Sequence, residues 1–126
     1  MGGPVPTVLV VDDDPSLRLL CRVNLEFEGY TVHEAATIEE ARRTLASEVV
    51  NLVLLDVHVA GADGRDLLAE LKRDRPELPV ALFTGSAEIG PDVRAIADRI
   101  VAKPFSLEDL AATARDLTAT GYIPRR

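Results

Sequence analysis

The feature that most limits the fold of this chain is an unbroken apolar run, Leu52 to Leu55, which ends at the carboxylate of Asp56. Such a run is typical of a strand that is buried on both faces, as in a parallel sheet covered by helices. The turn pair Asp63-Gly64 follows and predicts that the chain leaves the sheet there. Because open parallel sheets bind ligands at the carboxyl ends of their strands, Asp56 stands where a functional residue is expected.

Strand-like segments alternate with helical segments along the rest of the chain. The other predicted strands are Thr7 to Val11, Tyr30 to Glu34, Pro79 to Thr84 and Ile100 to Ala102. Capping signals and apolar periodicity predict five helices, which begin near Pro15, Thr37, Gly64, Asp92 and Ser106. This alternation predicts an α/β fold with a five-stranded parallel, doubly wound sheet flanked by five helices.

The first helix is predicted to bury its apolar residues Leu17, Leu20, Val23 and Phe27. Cys21 falls among them and is interpreted as a packed, inert thiol. A single cysteine cannot form an internal disulfide, which suits a reducing compartment. We therefore expect a cytoplasmic protein. The last helix is predicted to bury Leu107, Leu110, Ala114 and Leu117.

Length and charge restrict the classes of partner. The 126 residues predict a single domain over 1–126, with a core over about 6–119 and a short tail over 120–126. No apolar run reaches the ~18 residues of a membrane span, and no signal peptide is recognisable. The net charge is −7, which disfavours nucleic acid. No membrane or nucleic-acid partner is expected.

Polar residues close four of the predicted strands, and short loops should bring them to one edge of the sheet: Asp12, Asp13, Asp56, Thr84 and Lys103. Three carboxylates there repel one another by ~1 kcal/mol or more per pair near 4 Å. Lys103 supplies one positive charge, and a hard divalent cation such as Mg²⁺ is the natural supplement. One acid is then left as a nucleophile, with Thr84 and Lys103 to bind phosphoryl oxygens. The cluster predicts phosphoryl transfer onto an aspartate.

From about Thr7 to Leu117 the sequence resembles the receiver domain of two-component response regulators. The matching motifs are Asp12-Asp13 after VLVV, Asp56 after LVLL, Gly61-x-Asp63-Gly64, Thr84 and Lys103-Pro104-Phe105. The resemblance implies a flavodoxin-like fold with strand order 2-1-3-4-5. It also implies that Asp56 accepts a phosphoryl group from a histidine kinase or a histidine phosphotransfer protein.

The resemblance assigns the other site residues as well. It implies that Mg²⁺ is held by Asp12, Asp13, Asp56 and the backbone carbonyl of His58, and that Thr84 and Lys103 bind the phosphoryl group. The His58 side chain is expected to point to solvent. Gly85 should leave a gap for the donor, and the side chains of His58 and Ser86 are candidates for tuning access of water. The chain is expected to be a phosphoacceptor that assists its own phosphorylation and dephosphorylation, and not an enzyme.

Three features depart from the family pattern. Val59-Ala60 stands where the family usually has Met-Pro, which predicts a looser loop. Ile100 occupies the place of a usual aromatic residue. The spacing from Thr84 to Lys103 is about three residues short, which predicts that nearly one helical turn is missing from the fourth helix or its loop. The phosphoryl chemistry is expected to be intact, whereas the usual signal-readout surface is expected to differ.

Other readings fit less well or remain open. A haloacid-dehalogenase-type phosphatase needs D-x-D, but Asp56-Val57-His58 lacks the second acid. A flavin protein needs a phosphate-cradling loop after the first strand, where this chain has aspartates. The serious alternative is a receiver-like module that acts without phosphorylation. The chain is either a stand-alone receiver or a segment of a larger regulator or hybrid kinase. A downstream protein target and a monomer or weak dimer are expected.

Overall fold

The computed structural model describes residues 5–85, 89–119, 121, 122 and 124, and strands and helices alternate through them. The strands of these residues are β1 (Thr7–Val11), β2 (Thr31–Ala35), β3 (Leu52–Asp56), β4 (His58–Val59), β5 (Ala62–Asp63), β6 (Val80–Thr84) and β7 (Arg99–Ala102). The helices are α1 (Pro15–Phe27), α2 (Ile38–Ser47), α3 (Gly64–Asp74), α4 (Pro91–Ile96) and α5 (Leu107–Thr118). The predicted elements are all present, with ends shifted by one or two residues.

The five longer strands form a parallel sheet in the order β2-β1-β3-β6-β7. When the sheet strands alone are counted along the chain, this is the predicted order 2-1-3-4-5. The fold is therefore the flavodoxin-like, doubly wound α/β fold. The two short strands β4 and β5 were not predicted. They pair with each other as an antiparallel hairpin directly after the central strand β3.

The central strand β3 is buried on both faces, as its apolar run predicted. Val53 and Leu55 belong to one core cluster, together with residues of α2 and α3 such as Leu45. Leu52 and Leu54 belong to the other, together with residues of α1 and α5. Full burial of each such side chain contributes roughly 1.5–3 kcal/mol. This packing holds Asp56 at the end of a strand that is buried on both faces.

Side-chain caps set the start of three helices where the sequence predicted them. The carboxylate of Asp14 accepts hydrogen bonds from the backbone N–H groups at the start of α1, and Pro15 occupies the first helical position. Thr37 caps α2 through the N–H of Glu40. Ser106 caps α5 in a reciprocal capping box. Each cap satisfies backbone donors that a helix start leaves unpaired.

The predicted buried face of α1 was wrong. Leu20, Val23 and Phe27 are exposed, by 42%, 55% and 88% of their surface. The residues that face the sheet and α5 are instead Cys21 and Leu25. The helix carries apolar residues on more than one stripe, and the sheet packs against the stripe that contains the small thiol of Cys21. A similar correction applies at the start of α5, where Leu107 is exposed.

The loop after β3 forms a hairpin, with a two-residue turn at Ala60-Gly61 between β4 and β5. That Val59-Ala60 makes this loop looser than the Met-Pro pattern stays a prediction. With 6 residues, α4 is the shortest helix of the described residues, which agrees with a missing turn in the helix or its loop. In the described part of the chain, no helix is long and apolar enough to cross a membrane.

Candidate functional site at the carboxyl edge of the sheet

The site residues predicted from the sequence meet at one edge of the sheet. β1 ends just before Asp12, β3 ends at Asp56 and β6 ends at Thr84. The register of the parallel strands places Thr84 opposite Ala102, so Lys103 follows directly at the same level. The backbone N–H of Lys103 donates to the carbonyl oxygen of Thr84 at 2.8 Å. Parallel pairing alone therefore assembles groups that lie up to 91 residues apart in sequence.

Three carboxylates form the centre of the site. Asp12, Asp13 and Asp56 each offer an oxygen, and these oxygens lie within 4.8 Å of one another. Asp12 is buried, Asp56 is partly buried and Asp13 is exposed. Negative charge is thus concentrated at the buried bottom of the site, and the carboxylate of Asp13 is the one that is exposed to solvent.

Lys103 supplies the compensating charge. Its Nζ lies 3.1 Å from Oδ2 of Asp12 and 3.2 Å from Oδ2 of Asp56. Burial on its own would lower the pKa of this amine, but the hydrogen bonds and charges of the two carboxylates outweigh burial and raise the pKa above its usual value. The amine therefore carries its proton at any physiological pH. The Lys103–Pro104 peptide bond is cis.

The carboxyl group of Asp12 has a raised pKa. Burial is the main cause, and repulsion from Asp56 adds to it, whereas the backbone N–H of Asp14 and the amine of Lys103 act in the opposite direction. The N–H of Asp14 donates to Oδ1 of Asp12 at 2.9 Å, and Lys103 binds Oδ2. Both oxygens of Asp12 are therefore held in fixed positions.

An ion pair between Arg18 and Glu34 fixes the backbone of Asp12, and the sequence analysis did not predict it. Arg18 donates from its guanidinium to the carbonyl oxygen of Asp12 at 2.7 Å and to Glu34 at 3.1 Å. Glu34 also binds Arg22 at 3.1 Å. The spacing of Arg18 and Arg22 along α1 could have indicated a common acidic partner, because residues four apart share a helix face.

Asp13 is held from the other side of the site. Its Oδ2 accepts a hydrogen bond from the backbone N–H of Ala60 at 2.9 Å. The neighbouring His58 is exposed in β4, as expected for its side chain. Open space surrounds Gly85, where an added Cβ would meet nothing within 4 Å. Ser86 lies outside the described residues.

An apolar wall lies behind the carboxylates. The rings of Phe83 and Phe105 meet edge to face, with centroids 5.0 Å apart, and both line a small cavity together with Asp56 and Cys21. Burial raises the pKa of the Cys21 thiol to about 11, so the thiol stays protonated. The structure confirms that Cys21 is packed in the core. A protonated, buried thiol is a poor nucleophile and a poor metal ligand.

The donor set fits a hard divalent cation better than a soft one. All three clustered ligands are carboxylates, whose oxygens suit Mg²⁺ and Ca²⁺, and the exposed Asp13 leaves room for water molecules in the coordination shell. A cation here would offset the excess of negative charge that Lys103 leaves.

The comparisons with known proteins agree on one family. The model of the response regulator receiver domain matches residues 8–115. The transcriptional regulatory protein AruR of Pseudomonas aeruginosa is 40% identical over 121 residues, which cover 90% of this chain and 49% of AruR. The C4-dicarboxylate transport transcriptional regulatory protein DctD of Rhizobium meliloti is 35% identical over 113 residues, which cover 87% of this chain and 25% of DctD. The chain thus spans about a quarter to a half of the length of these relatives.

Solved structures show the same likeness. A CheY-like receiver domain protein from Methanospirillum hungatei superposes with a TM-score of 0.85 at 31% identity, over 92% of this chain and 95% of that one. The response regulator TrrA of Thermotoga maritima, solved with Mg²⁺ and BeF, gives a TM-score of 0.82 at 30% identity, over 90% of this chain and 99% of that one.

Proposed function

Because the chain belongs to the response regulator receiver family, we propose that Asp56 accepts a phosphoryl group from a phosphohistidine on a histidine kinase or a histidine phosphotransfer protein. The observation that carries this proposal is the position of Asp56. It lies at the end of the central strand, within reach of Lys103 and of the two other carboxylates. The phosphorylated form then modulates contacts with a downstream protein target, and the chain works in the cytoplasm.

The chemistry follows from the groups around Asp56. A carboxylate oxygen of Asp56 attacks phosphorus, an O–P bond forms, and the N–P bond to the donor imidazole breaks. Lys103, which already contacts Asp56, pairs with a phosphoryl oxygen as negative charge shifts from the carboxylate to the phosphoryl group. The hydroxyl of Thr84 donates a hydrogen bond to another phosphoryl oxygen. Because the group stays on the protein, the chain is a stoichiometric acceptor and not an enzyme in the ordinary sense.

Asp12, Asp13, Asp56 and the backbone carbonyl of His58 would hold Mg²⁺ in this proposal. The clustered carboxylate oxygens of the described residues support it, as does the Mg²⁺ present in the solved structure of TrrA. When bound, the cation neutralises charge on the transferring phosphoryl group. Asp12 and Asp13 would hold it in place, and the repulsion between their carboxylates would fall.

Labelling with a small phosphoryl donor tests this function. We expect Asp56 to take up one phosphoryl group from acetyl phosphate or phosphoramidate in Mg²⁺, and the rate to fall on the order of 100-fold in excess chelator. Without the cation, the incoming anion meets three carboxylates and one amine. Intact-protein mass measured over time gives the rate.

Thermal melting with and without Mg²⁺ provides the control, since bound ligand stabilises the fold whether or not phosphorylation occurs. Equal labelling rates in Mg²⁺ and in chelator would show that the acidic cluster does not act through a metal. A protein with a higher melting temperature in Mg²⁺ that takes up no phosphoryl group would support the alternative, a receiver-like module that acts without phosphorylation.

The response to phosphorylation should be confined to the site. Ile100 is partly buried and packs with Val93 and Ala97 against the core, and its β-branched side chain has few χ1 states and no ring to turn inward. A ligand shifts an equilibrium only by its different interaction with the two states. We expect beryllofluoride to shift the amide signals near Asp56, Thr84 and Lys103, which bind the group, and to leave the rest of residues 96–110 little changed, without a strong dimer.

Amide chemical shifts with and without beryllofluoride and Mg²⁺ measure this. Ile100→Tyr is the matched variant, since it restores the aromatic ring and should extend the shifts across residues 96–110. Large shifts across that range in the unmodified protein, or a clear dimer on activation, would show that the response does not need the ring.

A further inference from the structure

The turn at Ala60-Gly61 has an unusual backbone. Ala60 has φ +50° and Gly61 has φ +81°, and they connect the strand pair of His58 with Asp63 and Val59 with Ala62. Two-residue hairpins favour such a turn because positive φ at both positions matches the twist of the strands. Glycine adopts this backbone readily, whereas alanine does so rarely. The position of Ala60 therefore needs support from its contacts.

The contact is a hydrogen bond that joins two loops of the site. The backbone N–H of Ala60 donates to Oδ2 of Asp13 at 2.9 Å, across 47 residues of sequence. A proline at position 60, as in the Met-Pro pattern of the family, has no N–H and fixes φ near −65°. It could make neither this bond nor this turn. The donor is thus available because this chain departs from that pattern.

The hairpin is anchored on both sides of the donor. The side chain of Val59 is fully buried in the core. After the turn, Asp63 caps α3 and binds Arg65 through two guanidinium nitrogens, and the N–H of Gly64 donates to the carbonyl oxygen of Val57 at 2.6 Å. The N–H of Ala60 is therefore presented to Asp13 from a fixed framework.

We propose that the backbone N–H of Ala60 is a positioning group that holds the Asp13 carboxylate ready for the divalent cation. This rests on the metal site of the proposed function. The oxygens of the three carboxylates lie within reach of one ion while Ala60 donates to Asp13. The hydrogen bond and a bound cation can therefore be present together. A carboxylate can accept about four hydrogen bonds or ligand contacts, which leaves the other oxygen of Asp13 for the metal.

The energetic reason is preorganisation. Asp13 is exposed and is repelled by Asp12 and Asp56, so an unrestrained side chain would turn away from them into solvent. The N–H of Ala60 carries partial positive charge and offsets part of that repulsion. Groups that orient metal ligands typically change metal affinity 10- to 100-fold when they are removed.

Metal affinity of matched variants at position 60 tests the proposal. The readout is Mn²⁺ binding to the whole unphosphorylated chain, measured by electron paramagnetic resonance. Ala60→Pro removes the donor, and we expect about 10-fold weaker binding. Ala60→Gly keeps the donor and tolerates positive φ, so its affinity should stay within about 2-fold of the unmodified protein.

A third variant removes the donor alone. Lactic acid in place of Ala60, introduced as a backbone ester, replaces the N–H by oxygen without imposing the φ of proline. It should weaken Mn²⁺ binding about as much as Ala60→Pro does. Melting curves in chelator show whether each variant is folded, and if Ala60→Pro is not, the ester variant decides.

The possible results separate the two proposals. If the unmodified protein binds Mn²⁺ and the folded ester variant binds it equally well, the positioning role of Ala60 is overturned and the metal site stands. If the unmodified protein does not bind Mn²⁺, the metal site is overturned and the positioning role with it. If Ala60→Gly weakens binding as much as the ester does, the backbone conformation and not the donor is responsible, and the positioning role is again overturned.

Discussion

Replacing Asp56 by asparagine should reduce phosphoryl uptake from acetyl phosphate to background. The amide has nearly the same shape as the carboxylate, but it has no nucleophilic oxygen of comparable strength. The other ion pair of Lys103, with Asp12, is still available, so the site keeps its framework. Intact-protein mass after incubation with Mg²⁺ is the measurement.

Asp66→Asn is the control for this change. Asp66 is an exposed carboxylate in the first turn of α3, outside the cluster, and its replacement should leave uptake unchanged. The Asp56→Asn protein should also remain folded, since removing one charge relieves repulsion with Asp12. If it is labelled as well as the unmodified protein, another residue is the acceptor.

Replacing Gly64 by alanine should destabilise the fold more than an ordinary surface change. A Cβ at position 64 would overlap the carbonyl oxygen of Asp56 and press on the carbonyl oxygen of Val57 at 3.2 Å. Both obstacles are backbone atoms, one of the last residue of β3 and one of the residue that follows it, so they cannot rotate away. We expect a loss of about 3 kcal/mol, the upper end of typical overpacking costs. The melting temperature should fall by about 10 °C.

Gly85→Ala provides the matched comparison. A Cβ there meets nothing within 4 Å, and the residue is exposed. Its melting temperature should be unchanged or slightly higher, because alanine restricts the unfolded chain. If Gly64→Ala has the same melting temperature as Gly85→Ala, the backbone moves freely enough to accept the methyl group. The close approach of α3 to Asp56 then does not restrict the site.

The sheet and its site edge could be predicted because they depend on patterns within short windows. The apolar run before Asp56 identified a strand buried on both faces, and each polar strand end marked the same edge. Parallel connections through helices then leave few topologies. The ion pairs of Lys103 with Asp12 and Asp56 follow from this arrangement.

The face that α1 buries could not be predicted from its sequence. Leu19, Leu20 and Val23 compete with Cys21 and Leu25 for the core, and apolar character alone favours the wrong stripe. The packing partner decides, since Cys21 and Leu25 share their cluster with residues of α5 that are distant in sequence. Tertiary packing here overrides local amphipathicity.

The hairpin after Asp56 was missed for a different reason. Its strands have two residues each, and Ala60 is not a residue that positive φ favours. Gly61 was visible in the sequence as a turn residue, but the bond from Ala60 to Asp13 depends on two loops that meet only in the folded chain. Such contacts carry no local sequence pattern.

The most direct test of the central claim locates the phosphoryl group chemically. Borohydride reduces an aspartyl phosphate to homoserine, and peptide mass spectrometry then identifies the modified position. After incubation of the protein with phosphoramidate and Mg²⁺, we expect homoserine at position 56 alone. Homoserine at position 12 or 13, or uptake of phosphate without any homoserine, would contradict the assignment of Asp56 as the phosphoacceptor.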